Sequence, residues 1–183
     1  MFIIKLKNKY LLGICIVFIC ATMSLSSTQA WTPPPPKDVY SHHYYFVNGG
    51  GYRLDLDHLH IMDYDCMILT GHYYWWLLHE ILKVYFYFED PGVDYNENKL
   101  TIRFSYVSDD TMQIYVRFTD GTGKNFYESP TGWNNYRTVQ YDLGYKEVDY
   151  VRFYEDNPYW VFDGIQIKLD YMCVSYRYDL QGR

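Results

Sequence analysis

The 183-residue sequence is short of the features that announce an enzyme. There is no Gly-x-Ser-x-Gly elbow, no His-Glu-x-x-His pair and no phosphate-cradling glycine loop. His79-Glu80 lacks the second histidine that a metalloprotease helix would carry. Paired carboxylates of a glycan-cleaving site cannot be singled out among 22 acidic residues. Catalysis is therefore not the expected role. Cysteine is scarce too, with four copies, and Cys15 and Cys20 fall in the amino-terminal apolar stretch. No hydrophobic run reaches the ~20 residues of a membrane-spanning helix. Cations are fewer than acids, 16 against 22, for a net charge of −6. An acidic chain does not favour a polyanion such as nucleic acid, nor an anionic membrane surface.

Residues 1–30 have the plan of a secretory signal. Lys5, Lys7 and Lys9 precede the short apolar core Leu11–Met23, and Thr28-Gln29-Ala30 offers small residues for cleavage. Its removal takes three cations and no acids, deepening the net charge from −6 to −9. The expected setting is extracellular or at the cell surface, with the membrane touched only through this leader. Cys66 and Cys173 then have one intramolecular pairing in an oxidising compartment, a disulfide joining an early strand to the last. The alternative is two buried thiols. Residues 31–38 (WTPPPPKD) hold four consecutive prolines and read as a stiff spacer.

What the chain has in plenty is tyrosine, 23 copies among 21% aromatics. In Leu100–Val107 (LTIRFSYV), Leu100, Ile102, Phe104 and Tyr106 share one parity, Thr101, Arg103 and Ser105 the other. That alternation marks a strand with one apolar face and one wet face. It recurs in Gln113–Phe118, Thr138–Leu143, Tyr150–Tyr154 and Ile165–Val174, with turn residues such as Asp120-Gly121 and Asp163-Gly164 between runs, and Val39–Val47 reads as a first strand. Tyr52–Tyr64 also alternates. Regular short strands bury their apolar faces against a second sheet. The expected fold is all-β, an antiparallel β-sandwich of jelly-roll type over residues 39–183, with one short helix near 76–82.

Aromatic side chains beside amides in turns suit a sugar site, where a ring covers the C–H surface and a polar group holds hydroxyls. Trp133, Asn134, Tyr136, Tyr159 and Trp160 are the candidate ligand-binding residues; the competing role for each tryptophan is to cap the core. Phe126 and Tyr127 are placed in the same class of loop. Asp55, Asp57, Asp63 and Asp65 form an acidic cluster without EF-hand spacing, read as a wet surface.

The closing stretch Trp160–Tyr176 (WVFDGIQIKLDYMCVSY) resembles the last strand of extracellular jelly-roll modules, the carbohydrate-binding modules and galactose-binding-like domains. Val148–Tyr154 and Leu100–Asp120 share that style. The resemblance implies carbohydrate binding without catalysis, and a structural calcium with Asp170 as the metal ligand. Two alternatives stand beside it. One is a self-assembling extracellular subunit with neighbouring protein copies as partners, for which a tyrosine-rich surface and strand edges are suited. The other is a small glycan-cleaving enzyme.

Overall fold

The computed structural model of the chain describes residues 32–74, 79–157 and 164–178. The expected leader, Met1–Ala30, lies outside them, as do Tyr159 and Trp160. All strands fall within the unit Pro34–Arg183. In chain order they are β1 (Lys37–Asn48), β2 (Gly50–Tyr52), β3 (Met67–Thr70), β4 (His72–Tyr74), β5 (His79–Phe88), β6 (Glu97–Val107), β7 (Met112–Phe118), β8 (Gly123–Glu128), β9 (Arg137–Gly144), β10 (Val148–Asn157) and β11 (Gln166–Arg177). Every pairing is antiparallel.

Two layers result. In the first, β11 lies between β6 and the pair β3 and β1, with β9 outside β6 and β2 outside β3. In the second, β5 lies between β10 and the pair β1 and β4, with β7 and then β8 beyond β10. Strand β1 belongs to both. Lys37–Tyr40 pairs with β11, and Ser41–Asn48 pairs with β5. The switch occurs at a bulge between Ser41 and His43, where the buried Ser41 hydroxyl donates to the His43 carbonyl at 3.0 Å. A bulge that turns a strand from one sheet to the other is how sandwiches make corners.

The core lies between the layers and follows the expected parity. Leu100, Ile102, Phe104 and Tyr106 of β6 are fully buried, as are Leu82, Val84 and Phe86 of β5, Ile114 and Val116 of β7, and Val151 and Phe153 of β10. The tyrosines that enter the core keep their hydroxyls bonded. Tyr106 donates to the Asp110 carbonyl and the Tyr176 hydroxyl accepts from the Val148 amide.

Four local expectations give way to other structure. His79–Leu82 is strand, so the carboxyl half of the expected 76–82 helix is absent, and 75–78 lie outside the described residues. The β-branched and aromatic run Ile81–Phe88 pairs with two strands at once and carries His79 and Glu80 with it. Tyr52–Tyr64 is not a continuous strand: only Tyr52, the end of β2, is strand, and beyond it a 3-10 turn, Leu56–Leu59, is nucleated by the Asp55 carboxylate accepting from the Asp57 amide at 3.1 Å. Phe126 and Tyr127 belong to β8 and not to a loop. Lys37 and Asp38, at the end of the expected spacer, already pair with β11.

The disulfide is absent: Cys66 and Cys173 are both buried free thiols. Met67 pairs with Leu169, which sets Cys66 level with Asp170, whereas Cys173 stands opposite Tyr40 and Thr101. Three residues of strand separate the two levels by ~10 Å, beyond the ~7 Å that a disulfide bridges between Cα atoms.

Candidate functional site

The side chains of the second layer that do not enter the core form its outer face. Register alone assembles them into rows. His43, Tyr87, Tyr150, Arg117 and Gly123 make one row across β1, β5, β10, β7 and β8. Tyr45, Tyr85, Arg152, Tyr115 and Asn125 make the next. Asn48, Lys83, Tyr154, Gln113 and Tyr127 make the third. Neighbouring positions are ~4.8 Å apart across the strands and ~6.6 Å apart along them. Seven tyrosines therefore share one sheet face, from five strands of which only β7 and β8 are consecutive in the chain.

The rings touch. Tyr85 and Tyr87 stack at 6.5 Å between centroids, and Tyr150 sits against Tyr85 at 5.1 Å, Tyr87 at 5.7 Å and Tyr115 at 6.1 Å. The Arg152 guanidinium lies 4.9 Å from the Tyr115 ring and 5.7 Å from Tyr154, and donates to the Gln113 amide oxygen at 2.6 Å. Lys83 lies 5.9 Å over Tyr85. Gly123 leaves room for Tyr115: a Cβ there would fall 2.3 Å from the tyrosine hydroxyl. Burial raises the pKa of Tyr150 and of Tyr154, with Tyr115 and Tyr85 adding to the first and Asp156 to the second. Both hydroxyls stay protonated at neutral pH, each able to donate and accept. Beyond one end of the rows, the His79 Nδ1 meets the Asp156 carboxylate at 2.7 Å. Beside the other, an open hollow of ≈ 750 Å³ is lined by His42, His43, Tyr45, Tyr87, Phe88 and Asp149.

Four of the residues expected to bind ligand or metal come together elsewhere, on the outer side of the first layer. The turn that carries them is tied to β6: the amides of Thr131 and Gly132 both donate to the Tyr106 carbonyl, and Ser105 Oγ donates to Gly132 O at 2.9 Å. Asn134 adopts a left-handed backbone, φ 59°, which asparagine tolerates. Its side-chain oxygen accepts from Lys168 Nζ at 2.5 Å, and that ammonium lies 3.7 Å from the Trp133 ring centre. The Tyr136 ring packs edge-on against Tyr64, while its hydroxyl donates toward Cys66 Sγ at 3.4 Å. The two rings flank the Arg103 guanidinium, at 4.1 Å from Tyr64 and 5.3 Å from Tyr136.

Asp170 is fully buried, 2.9 Å from Arg103, and accepts from the Tyr64 amide at 2.6 Å. Tyr64 itself is left-handed, φ 70°, a conformation an aromatic residue rarely takes. Burial raises the Asp170 pKa, and the Arg103 charge and Tyr64 amide oppose that rise. This donor set does not fit the expected calcium, which takes six to eight oxygens. Asp170 offers its charge to a guanidinium that would repel a second cation. Among the described residues no three His, Cys, Asp or Glu side chains gather as a metal cluster. Tyr159 and Trp160, the remaining candidates, lie outside the described residues.

No protein-family profile matches the chain, and no curated protein matches it. Its structure is similar to solved family 29 carbohydrate-binding modules. One, a variant complexed with mannohexaose, is 12% identical with a TM-score of 0.46, covering 80% of this chain and 95% of that one. A second family 29 module is 14% identical with a TM-score of 0.45, over 79% and 92%. A third, from Piromyces equi, is 9% identical with a TM-score of 0.42, over 81% and 95%. The strand pairings establish the sandwich without them.

Proposed function

We propose that the chain is an exported carbohydrate-binding module that holds a glycan on the tyrosine face of its second layer and performs no chemistry on it. The carrying observation is the three-row array, in which ring faces suited to sugar C–H surfaces alternate with Arg152, Gln113, Lys83 and Asn125. Amphipathic rings plus a few placed hydrogen-bonding groups are the composition of a sugar-binding surface. The solved family 29 modules include complexes with mannohexaose and cellulohexaose, which agrees with this class of ligand. Trp133, 55% exposed, is the second place where a sugar could stack, on the opposite face beside Asn134 and Lys168.

The rival role, a subunit polymerising through strand edges, has less support. Strands β8 and β9, at the edges of the two layers, engage each other. Phe126 stacks on Tyr141 at 4.0 Å, the Tyr141 hydroxyl donates to Glu128, and Lys124 reaches the Asp142 carbonyl. The test is calorimetric titration of the protein with hexasaccharides of differing linkage, on the parent and on Tyr85→Ala and Trp133→Ala. Loss of heat with Tyr85→Ala and not with Trp133→Ala supports the platform; the reverse pattern moves the site to the turn. A parent that binds no glycan removes the proposal.

A further inference from the structure

Resting on the reading of the tyrosine face as a glycan platform, we infer that its ligand is an acidic polysaccharide, carrying carboxylate or sulfate groups between neutral ring faces. The chain is acidic overall, at −6, yet the three rows hold Lys83, Arg117 and Arg152 and no carboxylate. The arginines make the contrast sharp. Arg53, Arg103, Arg137 and Arg177 each make an ion pair, with Asp65, Asp170, Glu128 and Asp38. Among the described residues, Arg117 and Arg152 are the two arginines without a carboxylate within 4.0 Å, and both stand on this face.

Their partners are neutral. The neighbouring Tyr115 hydroxyl is the main influence raising the Arg117 pKa, with Tyr150 and Asp149 adding to the rise. Among the described residues, Arg152 has only the Gln113 amide oxygen as a hydrogen-bond acceptor, and its Nε is buried with no acceptor. A guanidinium drawn out of water against rings, with donors left over, gains most from an anion that accepts two N–H bonds at once. A nucleic acid presents a charge at every nucleotide and meets long-range repulsion from the acidic chain. Three cations among seven rings suit a ligand with charge spaced more thinly.

The full chain is titrated at low salt with length-matched oligogalacturonate, a sulfated glycan, cellohexaose, mannohexaose and oligo-dT. The expected result is binding of one acidic glycan at least tenfold tighter than either neutral one, weakening as sodium chloride is raised. In Lys83→Gln/Arg117→Gln the acidic-to-neutral ratio falls below threefold, with the circular dichroism spectrum of the parent retained. Tyr85→Ala lowers the acidic and neutral affinities together. Neutral binding as tight as acidic, or acidic binding indifferent to salt, overturns the inference and leaves the platform standing. No glycan binding, or oligo-dT binding tighter than every glycan, overturns both.

Discussion

On the outer side of the first layer, Arg103 lies between Tyr64 and Tyr136 and its charge is met by buried Asp170. On the outer side of the second layer, Arg152 lies between Tyr115 and Tyr154 and meets an amide. The ingredients are the same, an arginine flanked by two tyrosines. What separates them is closure. The segment between β2 and β3 folds over the first face, bringing Tyr64 and its amide to Asp170, and Thr131–Tyr136 folds over it from the other side. No described segment covers the central rows of the second face. A closed cluster holds the fold together; an open one with the same chemistry is available for a ligand.

The largest expected effect tests the closed side. Asp170→Ala leaves Arg103 buried without a counter-charge, and stability measured by urea unfolding should fall by about 3–5 kcal/mol. The double variant Arg103→Met/Asp170→Leu should recover most of that loss, because an apolar pair needs no desolvated charge. Arg152→Met, its counterpart on the open face, should change stability by less than about 1 kcal/mol. Equal losses at Asp170 and Arg152 would abolish the distinction between the faces.

A second acid sharpens the point from inside the sandwich. Glu155 is 2% exposed on the core side of β10, bonded by Ser108 and close to Tyr106, and among the described residues its Oε2 has no hydrogen-bond partner. Asp170 faces Arg103; among the described residues no cation pairs with Glu155, and burial pushes its pKa up to about 7, the charges of Asp110 and Glu80 adding to the rise. The folded state therefore holds a proton that the unfolded chain releases near 4.5. This contribution to stability is complete below about pH 4.5 and is lost as pH rises through 7. At ~1.4 kcal/mol per unit it amounts to on the order of 3 kcal/mol. Glu155→Gln should flatten the pH dependence of the unfolding midpoint over that window. A parent that becomes more stable from pH 5 to 8, with the variant unchanged, contradicts the assignment.

Next in size is a loss of binding without a loss of fold. Tyr150 touches Tyr85, Tyr87 and Tyr115, so Tyr150→Ala removes the centre of the array. Truncation of a central aromatic anchor costs more than ~1 kcal/mol of binding, so the affinity for a bound glycan should drop about tenfold. Tyr136→Ala, from the covered cluster, should leave that titration within about twofold of the parent.

The alternation in Leu100–Val107 and Gln113–Phe118 was enough to predict strands and to sort inward from outward residues, because parity is local. The companions of an outward tyrosine are not. Tyr45, Tyr85, Tyr115, Tyr127 and Tyr150 become neighbours only through registers joining five strands, and no spacing along the chain encodes them. Trp133, Asn134 and Tyr136 stood out as a ring beside amides in a turn, a local signal that is also produced by a turn packing on its own Lys168 and Arg103. Strand β8 escaped notice since GKNFYE offers Phe126 as its single core-directed apolar residue and no β-branched one. Cys66 and Cys173 share a layer but not a level, a distinction that again belongs to register.

The smallest expected effect concerns calcium. If Arg103 already supplies the positive charge for Asp170, millimolar calcium meets no vacant carboxylate there. A ligand present at its own dissociation constant adds only ~0.4 kcal/mol to stability. The melting temperature with calcium and with a chelator should then agree within about 1 °C. A calcium-dependent rise of several degrees that vanishes in Asp170→Asn would mean that Arg103 yields its place to the metal. The first face would then be a cation site closed by a removable arginine, and the contrast between a sealed face and an open one would fail at its central residue.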